Sequence, residues 1–373
     1  MTSVAAPATG YLDDVAMIAR VLALIDAGTT ELGPRVGRVP IRNYVEPARL
    51  EREIALLRRL PVPFCPSAVV AEPGSFHARS AAGVPIVVVR DRAGALRAFR
   101  NSCRHRSTQL TAGSGCATSL VCPFHGWVYA LDGSLSAIPH AAGFPGVDRA
   151  DRGLVPVACI EHAGLVWVDQ EGPGSFDGVR ALPGLTEGQI LVQQGEIPVA
   201  GNWKVLVEGF LEGYHIRATH KTTFLPFGYD NTTVVQHHGQ HSRVAFPFRR
   251  VEALRDLPPE QWHVAGVLTV VDHVFPNAIV ARLTAHTALV VIEPDGIGHT
   301  RLITYKVAEP DAAGGVPEAV TRDISFVELG LVEDRAMAEA VQRGLAGRTA
   351  DVLFGQFESA LTHFHDGLAA HLD

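Results

Sequence analysis

The chain has little that would tie it to a membrane, a nucleic acid or a disulfide framework. Its longest β-branched apolar runs, Val84 to Val89 and Leu289 to Ile292, have strand length and fall far short of the roughly twenty residues a bilayer span requires. Residues Met1 to Gly10 lack the basic start and apolar core of a secretory signal, so a cytoplasmic location is expected. Basic residues are outnumbered, 32 Lys and Arg against 39 Asp and Glu, for a formal charge of −7. No basic run stands out, a phosphate backbone would be repelled, and no nucleic-acid partner is expected. Cysteine is scarce: of five, Cys65, Cys116 and Cys159 follow no pairing pattern, as expected of small buried apolar side chains in a reducing compartment. What is present, 47% hydrophobic and 19% charged residues over 373 positions, describes a globular chain with room for two domains.

The two remaining cysteines belong to a motif. Cys103-Arg-His105 is followed, after sixteen residues, by Cys122-Pro-Phe-His125-Gly-Trp. Each short segment supplies one thiolate and one imidazole, the ligand set of a Rieske [2Fe-2S] centre, in which Cys sulfurs hold one iron and His nitrogens the other. A structural zinc site uses the same four residue types. Zinc motifs, however, usually pair Cys with Cys and His with His, whereas here both pairs are mixed and differently spaced. The pattern C-x-H-R, then C-P-F-H-G-W-x-Y, resembles the Rieske domain of ring-hydroxylating oxygenase α subunits. One departure is Ser107, where those proteins usually carry Gly; if that position requires a positive φ, Ser is strained there.

A second constellation runs Asn202-Trp-Lys-Val-Leu-Val-Glu208-Gly-Phe-Leu-Glu212-Gly-Tyr-His215, with His220 five residues later. It resembles the N-W-K…E-x-x-x-D-x-Y-H-x4-H segment of the same oxygenase family. Two imidazoles and one carboxylate on one face of an iron(II) leave adjacent positions open for O2 and substrate. His215 and His220 are the candidate imidazoles, set apart from the other histidines, seventeen in all, by this context. On a regular helix they would lie roughly 140° apart, so the helix is expected to break shortly after His215, aided by Gly213. The carboxylate comes from a later helix. Asp334 shares an apolar stripe with Val327, Leu331, Ala338, Val341 and Leu345 and would need a partner there. Glu333 is the alternative, and Glu339 shares its face with Arg335 and Arg343 as a solvated ion-pair residue. The resemblance likewise places the acidic ligand at Asp334.

The resemblance also gives a role to Glu212. Family members place a bridging carboxylate there, usually Asp, linking a cluster histidine of one subunit to an iron histidine of its neighbour. Glu is the residue of the branch acting on quaternary ammonium compounds such as carnitine. Glu208 reads as structural and Asn202 as a helix cap.

Along the chain, a helix over Leu12 to Ile25 opens an N-terminal segment, residues 1–44. An all-β Rieske domain is expected over 45–168, with strands at Ala68 to Ala71, Pro85 to Val89, Leu96 to Arg100, Leu120-Val121, Trp127 to Leu131 and Leu165 to Val168. Residues 169–373 would form the catalytic domain, with strands from Ile190 to Val307 and helices over Val316 to Leu345 and Asp351 to Leu372. The fold class is therefore α+β: an all-β Rieske domain joined to an antiparallel helix-grip (START-like) catalytic domain.

The resemblance implies a terminal oxygenase that uses O2 to hydroxylate a small organic substrate at His215, His220 and Asp334. Its cofactors would be a [2Fe-2S] cluster on Cys103, His105, Cys122 and His125 and a mononuclear Fe(II). No nucleotide fingerprint or plant-type ferredoxin spacing occurs, so a separate NAD(P)H-dependent reductase, directly or through a ferredoxin, would supply electrons. A homotrimer or a multiple of it follows from a bridge that works between subunits. An aromatic substrate is expected first, with a quaternary ammonium or N-methyl compound as the alternative. Phe224, Phe227, Tyr229, Phe246, Phe248, Trp262 and Phe275 are candidates for the pocket wall, with His238 and His241 as further candidates. The reading from another class is a non-catalytic Rieske electron carrier.

Overall fold

The computed structural model describes residues 10–179, 182, 184–186, 188–347 and 350–373. Two compact units divide the chain: Leu57–Arg180, and Met1–Leu56 together with Ala181–Asp373. These bounds lie about a dozen residues beyond the expected 45–168. The reason lies in the helix Pro47–Arg59, whose Glu53 accepts hydrogen bonds from Trp203 Nε1 (2.8 Å) and Lys204 Nζ (2.7 Å) and so binds its first part to the catalytic unit.

In the Leu57–Arg180 unit a seven-stranded antiparallel sheet runs in the order Val62–Pro66, Leu165–Asp169, Pro156–His162, Leu96–Arg100, Val84–Arg90, Ser75–Ala81, Gly113–Cys116. An interior strand, Val84–Arg90, buries Ile86, Val87, Val88 and Val89 completely, which explains the unbroken β-branched run. A small sheet of Leu120–Val121, Val128–Tyr129 and Leu135–Ala137 packs Trp127, Tyr129 and Leu135 into the same core as Val87, Val89 and Phe99. The expected strand at Ala68 to Ala71 is instead a 3-10 turn, Ser67–Val70. The strand lies just before it, at Val62–Pro66, where two prolines masked the alternation.

The catalytic unit is built on a second seven-stranded antiparallel sheet, ordered Ile190–Val199, Thr300–Ala308, Thr287–Pro294, Ala278–Arg282, Leu268–Val274, His241–Pro247, Val234–His238. A helix, Glu318–Leu345, contributes Val327, Leu331, Asp334, Ala338 and Val341 to the wall of one cavity that Val271, Ala288, Val290 and Leu302 of the sheet close from the other side. The apolar stripe read from the sequence is thus the face turned to this cavity. The α+β fold is as expected. The stretch Asp351 to Leu372 is not one helix: Val352–Phe354 pairs antiparallel with Gly37–Val39, and the helix starts at Ser359. The opening helix, Asp14–Ala27, is capped by Asp13 and buries Met17, Ile18, Val21 and Leu22 against Val234, Ala245 and Leu268. No helix among the described residues is long and apolar enough to cross a membrane.

Candidate metal centres and cavity

The first centre lies on two loops of the Leu57–Arg180 unit. Cys103 and Cys122 are each 2% exposed. The rings of His105 and His125 stand 4.7 Å apart, and His105 stacks on Trp127 at 5.0 Å. His105 Nδ1 is buried without a hydrogen-bond partner, as befits a nitrogen reserved for a metal. Burial pushes the Cys122 thiol up, but the backbone N–H groups of His125 and Phe124 outweigh it and hold the thiol below its ordinary value. Donors of this kind, aimed at a ligating sulfur, stabilise an anionic cluster. Tyr129, the last residue of the second motif and given no role from sequence, places its hydroxyl 3.2 Å from Cys103 Sγ and accepts the N–H of Arg104 at 2.9 Å. Both loops turn through the left-handed region, at Gly126 (φ 70°) and at Ser107 (φ 60°), so the departure at Ser107 is a strained one. The donor set fits a [2Fe-2S] cluster. Of the other cysteines, Cys65 is buried and pushed up to about 12, and Cys159 is pushed up to about 11, both chiefly by burial. Cys116 is exposed, contrary to expectation, because it ends an edge strand.

The second centre is in the catalytic unit. Asn202 caps the helix Trp203–Gly209, its side chain accepting from Lys204 N at 3.0 Å and donating to the carbonyls of Tyr44 and Ile297. The helix stops at Gly209, before His215 rather than after it. A single turn, Ile216–Thr219, then lies between the two histidines, with His215 and His220 at its ends. The terminal positions let the side chains converge where a continuous helix would not: the two Nε2 atoms are 3.2 Å apart. Asp334 Oδ1 lies 2.9 Å from His220 Nε2 and 3.5 Å from His215 Nε2. The three ligand atoms all fall within 4.8 Å of one another. Bonds of about 2.1 Å meeting near a right angle require ligand atoms about 3 Å apart, so the trio fits a first-row metal with open positions.

Charge at this centre follows from its crowding. Burial lowers His215, but the carboxylates of Asp334 and Glu212 overcome it and raise the imidazole to about 10. His220 is raised in the same way, with Asp334 again the main partner. Burial would raise Asp334, yet the two imidazoles hold it below the usual carboxylate range. Glu333 is not a fourth member of the trio: its Oε2 sits 2.8 Å from His220 Nδ1 and accepts from Thr223 Oγ1 at 2.7 Å. Glu212 bonds His215 Nδ1 through Oε1, and its Oε2 accepts the N–H of His215 at 3.1 Å. Glu208 accepts from Tyr44 Oη at 2.7 Å and lies 2.8 Å from His365 Nε2.

His215 and Asp334 open onto a cavity of about 820 Å³. Phe224, Tyr229, Phe246 and Phe248 line it, joined by Phe210 and Phe326, which the sequence reading passed over. Phe227 packs edge-on against Phe326, Trp262 belongs to the core under the first helix, and Phe275 stands against Phe364 and His371. His238 packs on Tyr11, and His241 Nδ1 accepts the N–H of Phe275, so neither is part of the cavity wall. Arg335 turns inward and meets Glu328 at 2.7 Å, rather than forming an exposed pair with Glu339.

Comparison with known proteins places a family in each unit. The family "Rieske [2Fe-2S] domain" matches residues 61–169, and "Ring hydroxylating alpha subunit (catalytic domain)" matches residues 191–373. The chain is 28% identical to the chloroplastic choline monooxygenase of Spinacia oleracea over 327 residues, 79% of this chain and 69% of that protein. It is 30% identical to the carnitine monooxygenase oxygenase subunit of Acinetobacter baumannii over 164 residues, 41% and 44% of the two chains. A crystal structure of a quaternary ammonium Rieske monooxygenase with L-carnitine superposes with a TM-score of 0.76 at 20% identity, covering 90% of this chain and 96% of that one. The chain belongs to the Rieske non-haem iron ring-hydroxylating oxygenases as an α, catalytic subunit, an oxidoreductase with a [2Fe-2S] domain and a mononuclear iron domain that draws its electrons from a reductase.

Proposed function

We propose that this oxygenase hydroxylates a small quaternary ammonium or N-methyl compound. The observation that carries the reading is the crowd of carboxylates beside His215. Glu208, Glu212 and Glu358 all border the cavity, and burial together with the charges of Glu212 and Glu208 raises Glu358 to about 7. A cation in the cavity would relieve that repulsion while resting against the faces of Phe224, Phe246 and Phe248. The names of the choline and carnitine relatives support the same chemistry.

His215, His220 and Asp334 would hold the iron; Cys103, His105, Cys122 and His125 would hold the cluster. The iron, when bound, supplies O2 activation beside the substrate. The chain's own residues do the rest. Glu333 and Thr223 fix the ring of His220, and Glu212 fixes that of His215. Apolar walls exclude water, and Phe224 packs on His220 at 4.6 Å between ring centres. Glu212 would also be the link to a partner subunit's cluster, in a homotrimer or a multiple of one, with an NAD(P)H-dependent reductase as the electron source.

The test is substrate-dependent O2 and NAD(P)H consumption with a surrogate reductase, screened over choline, carnitine, betaines, aromatic acids and unsubstituted aromatics. Coupled turnover of an N-methyl compound is expected. Turnover confined to the aromatic set would overturn the substrate class and return the reading to an aromatic hydroxylase.

A further inference from the structure

Charge is sorted along the cavity wall. Glu208, Glu212 and Glu358 border it beside His215, whereas its permanent cations among the described residues, Lys306 and Arg335, meet around Glu328. Arg335 Nη2 donates to Glu328 Oε1 at 2.7 Å; Lys306 Nζ lies 3.8 Å from Glu328 Oε2 and donates to Gln193 Oε1 at 3.3 Å. One carboxylate therefore serves two cations. The other acids of the wall are engaged elsewhere: Glu196 meets Arg301 at 3.0 Å, and Asp323 accepts the N–H of Ala285 at 2.8 Å. The guanidinium of Arg335 keeps Nε and Nη1 free of any protein partner, and neither atom is fully buried. With only 18% of the Arg335 side chain and 11% of that of Lys306 exposed, the surplus positive charge calls for an anion against it.

Position sets what that charge can meet. Alternation puts Leu302, Thr304 and Lys306 on one face of the strand Thr300–Ala308, and all three line the cavity. On the facing helix, Arg335 follows Asp334 and stands about 100° further round. Its guanidinium reaches back to Glu328, which precedes Asp334 by six residues, or about 9 Å of axial rise. The two cations thus lie on the order of 10 Å from the metal position, across an apolar floor that includes Val327, Leu331 and Val290. A chain of about four or five carbon atoms bridges that interval once the contact distances at each end are taken off.

We propose that the substrate carries a carboxylate, seated on Arg335 with Lys306 as the second charge, at the end remote from the carbon oxidised at the His215, His220 and Asp334 site. A guanidinium offers its donors as a planar fork that matches the two oxygens of a carboxylate, and the nearby ammonium adds charge without demanding a direction. Glu328 holds the two cations in place while the site is empty. The inference rests on the oxygenase reading of the metal site, and it names one end of the substrate whatever the head group at the other.

The experiment is calorimetric binding of four probes to the full metal-loaded chain: 5-(trimethylammonio)pentanoate and its primary amide, and the carbon counterparts 6,6-dimethylheptanoate and its primary amide. Each amide keeps the length and shape of its acid but not the charge. In the wild type the acid should bind at least roughly tenfold tighter than its amide, whichever head group binds. Arg335→Gln and Lys306→Gln should each lower that ratio severalfold, with the affinity of the amide and the iron content unchanged. Glu328→Gln, which removes the competing carboxylate, should raise it. A wild-type ratio of one, a preference that survives in both Arg335→Gln and Lys306→Gln, or failure of all four probes to bind overturns the proposal. The head group reports separately. If only the carbon pair binds and the acid preference holds, the carboxylate site stands and the quaternary ammonium reading fails. If the ammonium pair binds more tightly than the carbon pair but with an acid-to-amide ratio of one, that reading stands and the carboxylate site fails.

Discussion

Glu333 Oε2 lies 2.8 Å from His220 Nδ1 while Asp334 Oδ1 lies 2.9 Å from His220 Nε2, so adjacent residues of one helix grip both nitrogens of one imidazole. The division of labour follows: Asp334 faces the metal position, and Glu333 sets the tautomer and ring angle from behind. Glu333→Gln should weaken iron binding roughly 10–100-fold, and Asp334→Ala should remove one iron per chain while leaving the red-brown cluster intact. Iron-to-sulfide ratios read the outcome, three to two for the wild type and two to two for Asp334→Ala. Full iron in Asp334→Ala with loss in Glu333→Gln would reverse the two roles.

Glu212 holds His215 from its outer side, and the bridge proposed for it separates electron passage from metal binding. Glu212→Gln should retain both metal sites and normal cluster reduction by an external donor, yet slow reoxidation by O2 and substrate steeply. Glu212→Asp keeps the charge but withdraws it by one methylene, and should recover only part of the rate. Unimpaired single-turnover reoxidation in Glu212→Gln would show that the carboxylate only orients His215.

Gly330 explains how Phe224 comes to lie against His220. A Cβ at Gly330 would fall inside the Phe224 ring, so the helix Glu318–Leu345 has been left bare where the ring seats. Gly330→Ala should therefore cost about 1–3 kcal/mol in denaturant unfolding, despite the better helix propensity of Ala, and should loosen iron. Gain of stability in Gly330→Ala with iron unchanged would mean the ring has free room elsewhere.

Ligand chemistry was legible in the sequence wherever it was local. Cys103, His105, Cys122 and His125 lie on two short loops, and Asp334 lay on a helical stripe of which Val327, Leu331, Ala338 and a half-exposed Val341 border the cavity while Leu345 is buried elsewhere. What depended on distant chain segments was not. Glu53 comes from the N-terminal part of the chain to bury Lys204 and Trp203, and Glu358 reaches the cavity from beyond a strand that was read as helix. The helix break was foreseen on the wrong side of His215, because rotation per residue says that two side chains diverge but not which turn gives way. Glu333 was weighed only as a ligand. Its place behind His220 needs the histidine's other nitrogen to be located first, and periodicity does not locate it.

Proton linkage follows from His215. Its ordinary value of 6.5 is raised to about 10 in the metal-free fold, so near pH 7 the imidazole is protonated and a metal must displace that proton. Binding of Fe(II) or Co(II) to the metal-free chain should release close to one proton from this residue at pH 7, with a further contribution from His220. Affinity should rise with pH up to about 10. Calorimetry in buffers of differing ionisation enthalpy measures it; pH-independent binding without proton release would contradict the carboxylate-held imidazolium.

Glu358 gives the cation reading its own pH signature. The fold raises its carboxyl from 4.5 to about 7, through burial and then through Glu212 and Glu208, so the folded chain binds a proton there that the unfolded chain has lost. Stability from this group is present below about pH 4.5 and is lost as pH rises through about 7. Glu358→Gln should therefore leave stability unchanged near pH 4 and raise it above pH 7, provided the new amide keeps the N–H of Gly355, which Glu358 now accepts at 2.5 Å. A cation in the cavity acts in the opposite sense, because it favours the ionised carboxyl. Tetramethylammonium should bind more tightly at about pH 8 than at about pH 6, releasing protons as it does, and the Gln variant should flatten that slope. If affinity is the same at both pH values in the wild type, the cation does not sit near Glu358, and the carboxylate crowd would no longer argue for a cationic substrate.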